Sequence, residues 1–150
     1  MTVFLIFLLA CAAAGATGMI FPPGDWYRQL EKPDWTPPDW VFPIIWPALY
    51  ILIAIAGARL AGTAGAGLVL ALWAAQIALN TLWTPVFFGA HRIQLGLVVL
   101  ALLWLVVAAM ILAAFWVDLW VVVLLLPYLA WLSVALALNH AIWRLNPSMG

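Results

Sequence analysis

The chain has 150 residues, 69% of them hydrophobic and 7% charged, and its five basic and five acidic side chains cancel. An ordinary soluble domain is about 25% charged, so this composition argues against one, and zero net charge removes the electrostatic case for a nucleic-acid partner. A lone cysteine, Cys11, excludes an intramolecular disulfide.

In chain order, the apolar run at 3–21 predicts a first membrane helix, long enough for a ~30 Å hydrocarbon core. No Lys or Arg precedes it and it is long for the apolar region of a signal peptide, so a helix is preferred to a cleaved leader. Loop 1, at 22–41, carries Asp25, Arg28, Glu31, Lys32, Asp34 and Asp39, more than half of all the charges, together with repeated prolines that break regular hydrogen bonding. Trp26, Trp35 and Trp40 within it suit an aromatic belt or a lid on a pocket mouth, and Asp25 to Leu30 suits a short interfacial turn.

A second helix is predicted at 42–61, with Pro43 in its first turn and Pro47 bending it. After the turn at Gly62 to Gly67, a third helix covers 66–88 and ends near Pro85 and Gly89; His91 and Arg92 form the next connection. A fourth covers 93–116, Asp118 marks a turn, and a fifth covers 119–143, interrupted by Pro127 and ended by Arg144, Asn146 and Pro147. The fold class is all-α: residues 1–150 form a single polytopic membrane domain of five transmembrane helices. Arg28, Lys32, Arg92 and Arg144 share one side and only Arg59 lies on the other, so the first side is expected to be cytoplasmic and the N-terminus outside.

Polar residues at membrane depth are costly and often functional. On the third helix Trp73, Gln76, Asn80, Trp83 and Phe87 recur at spacings of three and four, which places two amides and three aromatic rings on one face. Such a face suits a pocket wall for a flat apolar ligand with a polar edge; it equally suits glue between neighbouring helices. Tyr128, Trp131, Ala135 and Asn139 form a comparable stripe on the fifth helix, and Phe42, Trp46 and Tyr50 on the second. Small residues at Ala10, Ala14 and Gly18, and at Ala71 and Ala75, allow close helix packing within or between subunits. Cys11, His91 and His140 have no metal-ligand spacing, and neither a phosphate loop nor a nucleophile elbow is present. No catalytic or metal residue is therefore assigned, and conventional hydrolytic or metal catalysis is not indicated.

Three segments, KPDWTPPDWVFPIIW at 32–46, AAQIALNTLWTPVFFG at 74–89 and PYLAWLSVALALN at 127–139, resemble the TspO/MBR family of tryptophan-rich sensory proteins and mitochondrial translocator proteins. The resemblance spans nearly the whole chain. It implies five transmembrane helices, a homodimer, and binding of porphyrins such as protoporphyrin IX, with cholesterol and benzodiazepine-site compounds as further family ligands. By motif position it puts Trp35, Phe42, Trp46, Tyr50, Asn80 and Trp131 around a ligand pocket, with Ala135 at a variable small-residue position beside it. Together with the polar stripes, the candidate ligand-binding set is Trp35, Phe42, Trp46, Tyr50, Gln76, Asn80, Trp83, Tyr128, Trp131 and Ala135.

The resemblance implies a receptor or sensor for tetrapyrroles, linked to their transport or regulation, with porphyrin as ligand and no required cofactor. The alternatives are a light-dependent porphyrin-degrading enzyme, for which Trp46 and Trp131 would be the suspects, a tetrapyrrole transporter, and a scaffold without a small-molecule ligand. Arg28 and Lys32 are the cations nearest the mouth for porphyrin carboxylates. LNHAIWRLN, at 138–146, lacks the Tyr of the mitochondrial cholesterol motif, which lowers the weight on cholesterol and suits a bacterial chain. Helical spans favour an inner membrane over an outer-membrane barrel, although some family members occur in outer membranes.

Overall fold

The structure, a computed structural model, describes residues 1–149. Its helices are α1 (Thr2–Ile20), the short α2 (Asp25–Gln29), α3 (Phe42–Ala61), α4 (Gly67–Thr84), α5 (Ile93–Ala114) and α6 (Leu119–Leu145). A 3-10 turn, Asp39–Val41, precedes α3, and a π turn, Pro85–Gly89, extends α4. All but α2 are long and apolar enough to cross a membrane, and the protein is an integral membrane protein. In a bilayer core the backbone must satisfy its own hydrogen bonds, which is why these apolar runs are helical.

Three details depart from the predicted spans. α5 ends at Ala114 rather than 116, because Phe115–Val117 form the turn that leads into Asp118, whose Oδ1 accepts the Trp120 N–H and caps α6. α6 runs through Pro127 without interruption; one lost N–H is tolerated when the rest of a long helix is intact. It also extends to Leu145, where the Asn146 amide donates to the Ile142 carbonyl at 2.8 Å and closes the last turn.

The five long helices form a ring. α1 packs on α3 and α4, α3 on α6, α6 on α5, and α5 on α4. Glycine makes two of the closest approaches on α1. Gly57 sits beneath the Phe7 ring, and Gly15 faces the Tyr50 ring, which a Cβ would meet at 3.1 Å. Phe7 then meets Trp73 edge-on at 4.6 Å, and the Trp73 indole donates to the Ile53 carbonyl at 2.9 Å. Of the small residues expected to pack on α1, Ala14 is buried, whereas Gly18 faces open space.

The ring has two polar ends. At one, Arg59 at the foot of α3 donates to Asp118 Oδ2 through Nε at 3.0 Å and a terminal nitrogen at 2.9 Å. At the other, loop 1 folds over the π turn, His91 and the end of α6.

Candidate ligand-binding site

The middle of the ring is filled by a chain of four polar side chains from α3, α4 and α6. The Tyr50 hydroxyl donates to Asn80 Oδ1 at 2.8 Å, Asn80 Nδ2 donates to the Tyr128 oxygen at 2.9 Å, and the Tyr128 hydroxyl donates to Gln76 Oε1 at 3.0 Å. Gln76 and Asn80 reach this chain together because they are four residues apart on one helix. Tyr128 and Gln76 are fully buried.

Aromatic rings surround the chain on the α3–α6 seam. Trp46 lies 5.5 Å from Tyr50 and 6.5 Å from Tyr128, and Phe42 meets Trp131 at 5.6 Å, near edge-on. Ala135 packs against the same core. Two N–H donors here are buried without a partner, Gln76 Nε2 and Trp131 Nε1. Among the described residues the buried polar side chains are Gln76, Asn80, Asn139 and Asn146, all uncharged amides. No group of three or more His, Cys, Asp or Glu side chains among the described residues is placed to hold a metal ion.

Trp83 is turned elsewhere. Its indole donates to Asn139 Oδ1 at 3.3 Å, and its ring stacks on Phe87 at 5.0 Å. It thus links the central core to a second apolar cluster of Leu30, Phe87, Ile93, Leu138 and Ile142. The π turn places Phe87 inward between Trp83 and loop 1; π segments of this kind often occur at functional sites. Asn139 ties three helices together, since its Nδ2 donates to the Ile93 carbonyl at 3.1 Å.

Loop 1 has a docked half and an exposed half. In the docked half Trp26 packs on Phe87 and stacks on His91 at 4.4 Å, Tyr27 meets Phe88 edge-on at 5.3 Å, and Leu30 is buried. His91 adopts φ 55°, a left-handed backbone position that ends the π turn sharply. Burial, and then the Asp39 carboxylate, push the Tyr27 phenol above its ordinary range. Arg28 is paired with Asp25, and Lys32 bonds the Leu30 carbonyl at 3.1 Å and lies 4.5 Å above the Tyr27 ring. Both expected carboxylate donors are therefore engaged within loop 1. In the exposed half Trp35 is 52% and Trp40 67% accessible, so the structure does not bring Trp35 to the central chain.

Of the candidate set, Trp46, Tyr50, Gln76, Asn80, Tyr128, Trp131 and Ala135 converge on one core, Phe42 packs on the second cluster and reaches that core through the Trp131 ring, Trp83 bridges the two and Trp35 stands outside. Sequence reading missed Asn146, which holds loop 1, and the stacking partner of His91; both depend on contacts between distant segments. A separate open groove of about 490 Å³ lies between α5 and α6, lined in part by Leu97, Trp104 and His140.

The sequence profile of the TspO/MBR family matches residues 6–144. Protein CrtK of Rhodobacter capsulatus is 52% identical to this chain, over 98% of it and 94% of that protein. The tryptophan-rich sensory protein of Cereibacter sphaeroides is 50% identical, over 95% of the chain and 90% of that protein. The human translocator protein is 38% identical, over 93% and 88% respectively. A profile covering most of the residues, and relatives matched over nearly their full length, agree with the five-helix ring: the chain belongs to the TspO/MBR family.

Proposed function

We propose that this protein is a membrane receptor or sensor that binds a porphyrin-type tetrapyrrole in the aromatic core between α3, α4 and α6, linked to tetrapyrrole transport or regulation. The observation that carries the reading is the convergence of Phe42, Trp46, Tyr50, Tyr128 and Trp131 around uncharged hydrogen-bonding groups at membrane depth. Flat π faces stack with a flat ring, and a few placed polar groups orient it. The names of the relatives, sensory and translocator proteins, point the same way. Entry is assigned to the loop 1 end, where the edge-on Phe42–Trp131 pair parts and Trp35 and Trp40 close over the ligand. That end is assigned to the cytoplasm, from its excess of basic residues, and a homodimer is assigned from family likeness.

The test is a titration of purified protein in detergent with protoporphyrin IX in the dark, read by quenching of tryptophan fluorescence. The reading expects saturable one-site quenching that weakens in Trp131→Phe and Asn80→Ala while both remain folded. Non-saturable quenching of equal extent in all three proteins means porphyrin dissolved in the micelle, and removes the reading.

A further inference from the structure

The groove between α5 and α6 lies apart from the central core. Leu97 and Trp104 form its α5 wall and Ser133, Leu136, Ala137 and His140 its α6 wall, around a volume of about 490 Å³. Ser133, Ala137 and His140 are exposed on the outside of the ring, so the groove faces lipid. The Trp104 indole donates to Ser133 Oγ at 2.9 Å, and the Ser133 hydroxyl donates to the Leu129 carbonyl at 2.9 Å. This bridge ties the two walls together. Trp104 stands at the middle of α5 and Ser133 at the middle of α6, so the bridge lies near the bilayer midplane. From Ser133 to His140, toward the loop 1 end, the helix rises about 10 Å. The groove therefore belongs to one leaflet, whose hydrocarbon is about 15 Å deep.

The open end of the groove is basic. Arg144 follows His140 by one turn on the same exposed face of α6, and Arg92 borders a smaller hollow of about 210 Å³ at the matching end of α5. The ion pairs among the described residues join Arg28 to Asp25 and Arg59 to Asp118, and include neither Arg92 nor Arg144. Neither α5 nor α6 contains an Asp or Glu. An ammonium headgroup at this end would meet cations and no carboxylate, whereas guanidinium groups and phosphate are natural partners. A groove half a membrane deep does not fit a second copy of the chain, whose long helices cross the full thickness. A sterol, with one hydroxyl and no charge, leaves both arginines unanswered. We infer that the α5–α6 groove binds an anionic phospholipid of the leaflet on the loop 1 side. One acyl chain lies between His140 and the Trp104–Ser133 bridge, and the headgroup faces Arg144 and Arg92. The groove shares no residue with the aromatic core, so this site stands or falls independently of the porphyrin reading.

The test places the purified protein in vesicles of chain-brominated phosphatidylcholine, whose bromines quench tryptophan on contact. Unbrominated phosphatidylglycerol, or cholesterol in a parallel series, is then added in rising proportion. Each protein is measured beside its own Trp104→Phe counterpart, and the difference isolates Trp104. Arg144→Gln and Arg92→Gln, singly and together, remove the charges. Ala137→Phe fills the groove and leaves both arginines in place. All three positions are exposed, so the fold tolerates the changes.

In the parent, half of the Trp104 fluorescence returns when about one lipid in ten is phosphatidylglycerol, a roughly tenfold preference set by two cations facing one anionic headgroup. Removing both arginines, or filling the groove, moves the half-point to about one lipid in two. Recovery in the parent that merely follows the lipid composition means that surrounding lipid exchanges without selection, and overturns the inference. A preference that survives Ala137→Phe overturns it too, because the headgroup is then attracted without the groove. So does a preference that survives the loss of both arginines. Recovery at a lower proportion of cholesterol than of phosphatidylglycerol assigns the groove to a sterol instead. Trp104 that brominated lipid leaves unquenched is covered by another copy of the chain, which also overturns the inference.

Discussion

Asn146 grips the backbone of Glu31 from both sides: its Oδ1 accepts the Glu31 N–H at 3.0 Å and its Nδ2 donates to the Glu31 carbonyl at 2.9 Å. The side-chain amide thereby imitates a strand partner for loop 1, across 115 residues of sequence. Asn146 is buried, and it also holds the Ile142 carbonyl, so α6 and the latch are one unit. Asn146→Ala removes both bonds to Glu31, each worth roughly 0.5–1.5 kcal/mol. Hydrogen exchange at the amides of 26–32 should rise by about tenfold or more, with the amides of α3 to α5, and of α6 ahead of its last turn, unchanged. Exchange that rises equally throughout would mean that Asn146 supports the whole fold rather than the loop.

Tyr27 reports on the same docking. Its phenol is held above the ordinary range first by burial and second by the Asp39 carboxylate, so the docked loop favours the neutral form. For an acid raised by folding, the stabilisation is complete below the undocked pKa of about 10 and is lost as pH rises through the docked value. The absorbance change of phenolate, taken as the difference between the parent and Tyr27→Phe, should therefore titrate above the ordinary range. In Asn146→Ala it should return toward about 10. A Tyr27 titration that is identical with and without Asn146 would separate the latch from the docking of the ring.

The spans were legible because five apolar runs of membrane length leave few alternatives, and the stripe of Gln76 and Asn80 needs only helical periodicity. The partners of those amides were not legible. Tyr50 and Tyr128 meet Asn80 because α3 lies against α6 and α4 closes the ring through α1 and α5, an order that the period of a single helix does not contain. Trp35 is grouped with Trp46 by motif, yet it sits in a turn that the Thr36 N–H closes on the Pro33 carbonyl, flanked by the prolines at 33, 37 and 38, and outside the core. Arg59 and Asp118 look like isolated loop charges until the ring brings the ends of α3 and α6 together.

Gly57 tests how tightly α1 is seated. A Cβ at this position would run into Phe7 Cδ1 and lie 2.8 Å from Cγ, so the base of the ring as well as its edge is in the way. Phe7 has little freedom to yield, since Trp73 holds it edge-on. Overpacking of this kind costs about 1–3 kcal/mol, so Gly57→Ala should lower the melting temperature in detergent. Phe7→Leu also loses packing, but combining it with Gly57→Ala should cost less than the sum of the two single changes. Strict additivity would show that the two residues do not share this contact.

The direction of the central chain makes its two tyrosines unequal. Tyr50 stands at the start and is partly accessible, so Tyr50→Phe removes one donor and leaves Asn80 Oδ1 unpaired. Tyr128 stands in the middle and is fully buried, so Tyr128→Phe strands both Asn80 Nδ2 and Gln76 Oε1. A hydrogen bond between membrane helices averages about 0.6 kcal/mol, whereas a buried polar group left unpaired costs roughly 1–3 kcal/mol. Tyr50→Phe strands one atom of a buried amide and Tyr128→Phe strands two, so Tyr128→Phe should cost about twice as much as Tyr50→Phe, measured by unfolding in mixed detergent. In Asn80→Leu, which removes the amide common to both bonds, the Tyr50→Phe step should cost nothing further and the Tyr128→Phe step only its bond to Gln76. Equal losses from the two tyrosines in the parent would mean that the chain does not run from Tyr50 to Gln76, and that each hydroxyl is held by a separate local contact.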